Sequence, residues 1–309
     1  MPEKPELNHP WLVAVWPGMG HVALNAGVYL LAKLGMNLIA EFEASDLFDV
    51  DHVEVKEGII QAGRRPRSRL FVWTHPKKKH DLVVFLGEAQ PPIGKYAFCR
   101  HLLAHARQLG VERVFTFAAM ATQMRPEDGS RLFGAATDRE ALAELKRLEL
   151  EVLEDGHIGG LNGVLLGAAA EDGLRGACLL GEMPHVFAQL PFPKASLAIL
   201  EAFTAIAGID LDLTELSDQA KAMDQQLGEL LARVEQAYGQ QHPAEEETYG
   251  AEAAEEERVR PSDRQRIEEL FQQAAKDRSR AFELKQELDR LGVFKEYEDR
   301  FLDLFKKPG

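Results

Sequence analysis

Leu12-Val-Ala-Val-Trp16-Pro-Gly-Met-Gly20-His21 leads straight into Val22-Ala-Leu-Asn-Ala-Gly-Val-Tyr-Leu-Leu-Ala-Lys-Leu34, and that junction decides the fold class. Its opening run is apolar throughout, as in a strand buried on both faces of a sheet. Gly18 and Gly20 permit a tight turn. The segment 22–34 then reads as a helix and stops at Gly35, which suits a left-handed C-terminal cap. A buried strand, a glycine turn and a helix open an α/β domain.

The same alternation continues outward. Short apolar runs at 38–42, 70–73, 82–86, 114–118 and 177–180 alternate with amphipathic stretches at 96–109, 138–145, 163–170 and 195–207. That is the pattern of a sheet covered by helices. Between Phe42 and Trp73 the alternation loosens, so additional antiparallel strands or a hairpin are expected there and the sheet reads as mixed, mostly parallel.

Past Leu213 the period changes. Leu216, Ala220, Met223, Leu227, Leu230, Val234 and Ala237 recur at alternating spacings of four and three, a heptad seam. Seven glutamates then fall between Glu245 and Glu257 with almost no aliphatic residues, which predicts a mobile acidic linker over 240–260. Pro261 and Ser262 with Gln265 mark a helix start, and Ile267, Leu270, Ala274, Ala281, Leu284, Leu288 and Leu291 resume the heptad, broken only by Asp277. After Gly292 a last short helix carries Phe294, Tyr297, Phe301, Leu304 and Phe305. The organisation expected is a core domain over 1–210 and a helical extension over 211–309. The two heptad helices could form a hairpin, pack on copies from neighbouring subunits, or cover the α/β core.

Composition narrows the function classes. The 309 residues carry 45% apolar side chains, enough to bury one large core, and a net charge of −14 that repels nucleic-acid phosphates over the surface as a whole. Lys77-Lys-Lys-His80 reads as a solvated turn, so no nucleic-acid partner is expected. The N-terminus lacks the run of a signal peptide and no 18-residue apolar stretch follows; no membrane association and a cytoplasmic location are expected. Cys99 and Cys178 lie far apart in apolar segments and read as buried hydrophobes.

Several loops could carry chemistry. Gly18, Met19 and Gly20 sit where N–H groups at a helix N-terminus can hold an anion, but a third glycine for a dinucleotide fingerprint and the lysine of a P-loop are missing. Glu88 and Gln90 emerge past the strand 82–86, at the edge where open α/β sheets bind ligands, and Glu182 does so past 177–180. Loop or cap roles compete for each. Asn162, in Gly159-Gly-Leu-Asn-Gly163, is placed as an N-cap and as a ligand-binding candidate. Glu88, Glu182 and the glycine turn converge on one crevice only if their strands are neighbours. The sequence holds no nucleophile elbow, zinc-binding histidine pair, EF-hand loop or kinase motif, so no catalytic residue, cofactor or metal is expected.

Taken in order, Trp16-Pro-Gly-Met-Gly20, Gly87-Glu-Ala-Gln-Pro91, Phe133-Gly-Ala-Ala-Thr137, Ile158-Gly-Gly-Leu-Asn-Gly163 and Glu182-Met-Pro184 with Pro191 resemble the second family of proteasome assembly chaperones. The resemblance spans residues 10–238 and implies a three-layer α/β/α sandwich like that of nucleoside phosphorylases, C-terminal helices, and homo-oligomers, with a trimer as one count to expect. It also implies non-catalytic action on a protein partner of unknown identity. Several relatives dock through a C-terminal tail of hydrophobic residue, tyrosine and any residue; Leu304-Phe-Lys-Lys-Pro-Gly309 departs from it, which puts tail-mediated proteasome engagement in doubt. The leading expectation is therefore an assembly-chaperone-like interaction protein. The alternatives are a nucleoside- or phosphate-type small-molecule binder or enzyme using the crevice near Gly18–Gly20 and Glu88, and a structural oligomer built by its own helices.

Overall fold

A computed structural model describes residues 6–42, 44–50, 53–239 and 261–306; the linker expected over 240–260 lies outside the described residues. In chain order, β1 (Trp11–Val15) leads through a single 3₁₀ turn at Met19–His21 into α1 (Val22–Lys33). Then come β2 (Asn37–Phe42), a hairpin of β3 (Glu54–Lys56) and β4 (Ile59–Gln61), β5 (Ser68–Trp73) and β6 (Leu82–Gly87). These are followed by α2 (Lys95–Gln108), β7 (Arg113–Thr122), β8 (Leu132–Ala136), α3 (Arg139–Arg147), β9 (Glu151–Val152), α4 (Gly160–Glu171) and β10 (Arg175–Pro184). The remainder is helical: α5 (Pro193–Ala207), α6 (Thr214–Gly239), α7 (Pro261–Lys276), α8 (Ala281–Arg290) and α9 (Phe294–Asp303).

The main sheet has eight strands in the order β2-β5-β6-β1-β7-β10-β8-β9. Its centre, β6-β1-β7-β10, is parallel throughout, while β5 and β8 join antiparallel on either flank. The hairpin expected in the irregular stretch after Phe42 is β3–β4, a separate two-stranded sheet.

Strand periodicity divides the core in two. Val13 and Val15 of β1, Leu82, Val84 and Leu86 of β6, and Phe115 and Phe117 of β7 point to the side covered by α1 and α5. Leu12, Ala14 and Trp16, with Val83, Phe85 and Val114, point to the side covered by α2 and α4. Helices on both faces of a mixed, mostly parallel sheet make the three-layer α/β/α sandwich.

The C-terminal helices lie on the first of these faces. Leu216, Ala220 and Leu227 of α6 are buried, and α6 runs along α5. Helices α7 to α9 return across α1, where Tyr29 meets Phe282 edge-on at 4.5 Å between ring centroids. The chain just past α9 reaches the sheet as well: Phe305 packs on Phe71 of β5, and the Leu38 N–H of the edge strand β2 donates to the Phe305 carbonyl at 2.6 Å. The heptad residues Ile267, Leu270, Ala274, Ala281, Leu284 and Leu288 are all buried in this layer. Asp277 is where the heptad helix divides, because its carboxylate accepts from the Ser279 N–H and caps a 3₁₀ turn at Arg278–Arg280 instead of continuing α7.

Candidate functional site

The carboxyl ends of the parallel strands β1 and β6 are adjacent, so the residues that follow them share one crevice. After β1 the chain turns through Gly20 at φ +60°, a conformation open to glycine, and a Cβ there would come within 2.7 Å of the Met183 sulfur. The Gly20 N–H donates to the Ala188 carbonyl at 2.8 Å, and its carbonyl accepts from the Phe192 N–H at 2.9 Å. The glycine turn thus spends its central N–H on the chain itself. Met19 projects half-exposed on its outside.

Glu88, just past β6, is buried and fully engaged. One carboxylate oxygen accepts from Arg69 at 2.8 Å; the other accepts from the Arg67 N–H at 2.8 Å and from Arg64 at 3.0 Å. Arg69 is itself buried and forks to a second carboxylate, Asp299 of α9, which Arg67 also reaches at 2.7 Å. Burial would raise the Asp299 carboxyl, but Arg69, Arg64 and Arg67 hold it below the usual aspartate value. This ionic cluster ties α9 to β5 and β6.

Gln90 acts as a bracket between two helix starts. Its Oε1 accepts the Leu161 N–H at 3.0 Å, and its Nε2 reaches the Pro17 carbonyl only at 3.5 Å. Asn162 is not the N-cap of α4: the helix begins two residues earlier, with Gly159 in the cap position, and a side chain from a distant loop supplies the missing acceptor. Asn162 instead lies inside the first turn, its carbonyl accepting from Thr116 while its buried Oδ1 has no partner. Gly163 is obligatory there, since a Cβ would fall 1.9 Å from the Ile158 carbonyl oxygen.

Glu182 stands elsewhere. Strands β6 and β10 are three positions apart in the sheet, about 14 Å at the usual strand spacing. Glu182 accepts from Arg131 at 2.6 and 2.8 Å and from Thr122 at 2.7 Å, and the Arg131 hydrogen bonds hold it below the normal glutamate range. The structure therefore brings Glu88, Gln90 and the β1–α1 turn together and leaves Glu182 outside the group.

Above the crevice is a cavity of about 530 Å³. Pro17, His21 and Leu24 form one wall, Glu88 to Gln90 a second, and the roof comes from Lys285 and Asp289 of α8 and Phe294, Lys295 and Glu298 of α9. Lys285 is buried, bonds Asp289, lies 3.4 Å from Asn25 Oδ1 and sits 4.0 Å from the Phe294 ring centroid. Burial lowers its ammonium and also lowers His21. Glu298 is buried, and burial followed by the charge of Glu88 pushes its carboxyl up to about 7. These roof residues follow no strand and carry no motif, although the sequence holds a signal for them. Lys285 and Glu298 each occupy a position four residues after one apolar residue and three before another (buried Ala281 and Leu288, half-buried Phe294 and buried Phe301), which puts a charge on the inward stripe.

Among the described residues no group of three or more His, Cys, Asp or Glu side chains could hold a metal ion, and no helix is long and apolar enough to cross a membrane.

The sequence pattern of the PAC2 family matches residues 12–231. The chain belongs to the PAC2 family. This PAC2 chain is 28% identical over 222 residues to the protein MJ1210 of Methanocaldococcus jannaschii, covering 71% of this chain and 82% of that one. Its fold is similar to that of Pyrococcus furiosus PbaB, an archaeal proteasome activator, with a TM-score of 0.63, 25% identity, and coverage of 75% of this chain and 96% of PbaB. It is also similar to a Mycobacterium tuberculosis proteasome-assembly chaperone homologue, with a TM-score of 0.62, 21% identity, and coverage of 75% and 97%. The PAC2 match supplies the strand ends and the β1–α1 turn, whereas α8 and α9, which roof the cavity, lie beyond residue 231.

Proposed function

We propose that this PAC2 chain is a non-catalytic protein-interaction factor of the assembly-chaperone type, acting in the cytosol on a protein partner as a homo-oligomer. The observation that carries the reading is PAC2 membership together with similarity, at 25% identity, to the structure of an archaeal proteasome activator. The strand-end carboxylates support it. A general base needs lone pairs within reach of a substrate proton, and Glu88 and Glu182 each spend theirs on arginines. A small-molecule reading draws on the cavity and not on the glycine turn, whose Gly20 N–H is already bonded.

A partner surface is available on the β3–β4 hairpin, where Val55, Ile59 and Ile60 are 63%, 67% and 70% exposed. A two-stranded hairpin buries little of its own apolar surface, so contiguous exposed valine and isoleucine suit coverage by another protein. The test is affinity capture of full-length protein from its native cytosol beside a variant carrying Val55→Glu and Ile60→Glu. The expected result is a protein recovered in fixed ratio with the natural chain and lost from the variant, whose melting temperature is unchanged. Retention of every bound protein by the variant would remove the hairpin from the account, and turnover of a discrete substrate would remove the non-catalytic assignment.

A further inference from the structure

The roofed cavity has an unfilled chemical requirement. At about 530 Å³ it falls within the range of small-molecule sites, roughly 300–1,000 Å³. Three carboxylates line it, and they differ in what they touch. Glu88 is saturated by Arg69, Arg64 and the Arg67 N–H, and Asp289 is bonded to Lys285. Glu298 is 2% exposed and accepts no hydrogen bond from any described residue. The nearest cation, Lys295 Nζ, stands 3.9 Å away on a side chain that is 70% exposed. A buried carboxyl without a donor is costly, and the space it faces is open.

What would satisfy it follows from the remaining walls. An anion is disfavoured, since Glu298 and Glu88 already repel one another. A metal ion is disfavoured because no cluster of suitable ligands surrounds the cavity among the described residues. Lys285, the buried cation, is committed to Asp289 and to the face of Phe294, so it does not reach across. Leu24, Ala89 and Phe294 offer apolar contact beside the carboxyl. The requirement is for a donor that carries positive charge on an apolar body.

We propose that the cavity beneath α8 and α9 binds a small primary amine with an apolar body, its ammonium nitrogen seated against the Glu298 carboxylate. Because the roof lies beyond the residues that match the family, the site belongs to this chain's own C-terminal helices and stands independently of the assembly-chaperone reading. Binding is linked to protonation. Glu298 is faced by Glu88 from β6, by Arg64 and Arg69 from the β5 side and by Lys295 on its own helix, while His21, Lys285 and Asp289 line the same space. With its carboxyl pushed up to about 7, Glu298 is partly protonated at neutral pH and must ionise to receive an ammonium group, so a proton leaves.

The test is isothermal titration calorimetry of the full chain with benzylamine, using benzyl alcohol and benzoate as matched probes. Benzylamine is expected to saturate a single site at pH 7 and to release a fraction of a proton, read from buffers of different ionisation enthalpy, with no release at pH 9. Benzyl alcohol is expected to bind at least about tenfold more weakly, a difference of 1.4 kcal/mol, and benzoate not at all. Glu298→Gln, which keeps the shape of the side chain, is expected to lose benzylamine binding and proton release together. Leu24→Phe, which fills the cavity from the opposite wall, is expected to weaken binding with Glu298 intact. No saturable binding of benzylamine at millimolar concentration would overturn the proposal, as would equal affinity for the alcohol, unchanged affinity in Glu298→Gln, or proton uptake at pH 7.

Discussion

Replacing Glu298 with glutamine should make the protein more stable, by an amount that depends on pH. Burial, and then the neighbouring charge of Glu88, push the Glu298 carboxyl from the ordinary 4.5 up to about 7. The folded state therefore keeps a proton that the unfolded chain releases at 4.5, and stability falls as pH rises from 4.5 to about 7, then levels off. At about 1.4 kcal/mol for each pH unit between the two values, the loss is about 3 kcal/mol. Glutamine has the shape of the protonated acid and cannot ionise, so the variant escapes the loss. Urea unfolding monitored by tryptophan fluorescence should show equal midpoints at pH 4.5 and a variant stabilised by about 3 kcal/mol at pH 8, with the same denaturant slope. Equal stability at both pH values, or a variant less stable at pH 8, would refute the argument that burial and Glu88 outweigh the distant cations Lys295, Arg69 and Arg64 at Glu298.

Arg69→Ala should destabilise the protein by about 3–5 kcal/mol, since it leaves Glu88 buried with one cation fewer, and limited proteolysis should then release fragments from the α9 end. Chemical unfolding with peptide mapping checks both parts. Gln90→Leu removes the acceptor for the Leu161 N–H and should cost about 1–2 kcal/mol, seen as a lower denaturation midpoint and faster hydrogen exchange in the first turn of α4. Cys99 and Cys178 are both buried, which pushes their thiols up to about 12, so neither should react with a disulfide reagent at pH 8 until the protein unfolds.

The fold was legible where local pattern and burial agree. The apolar run of β1, the glycine turn and α1 could be read directly, and so could β6, β7 and β10, because central strands buried on both faces are apolar without interruption. Strand β8 lacked that signal: Leu-Phe-Gly-Ala-Ala at 132–136 is small, partly exposed and flanked by polar loops, and it becomes a strand only by pairing with β10. The heptads of α7 and α8 reported burial correctly but could not name the surfaces they meet, α1 for α8 and the neighbouring helices α8 and α9 for α7, since a stripe carries no address. The site was harder to read. Glu88 and Gln90 stood out because they follow a strand, but their partners are 19 to 73 residues distant in sequence, and distance of that kind is settled by topology. Asn162 looked like a cap because asparagine commonly is one; tertiary contact gave the role to Gln90. Glu298 and Lys285 sit among the many charges of the C-terminal helices, and only the packing of α8 and α9 over the strand ends buries them.

On the proposed function, this chain works by holding a protein partner. Native mass spectrometry of the complex purified gently from its own cells tests it most directly. The account predicts one or more assemblies in which copies of this chain and a second protein occur in fixed ratio. A spectrum containing only this chain, alone or with itself, from cells that express it at natural levels would contradict the claim.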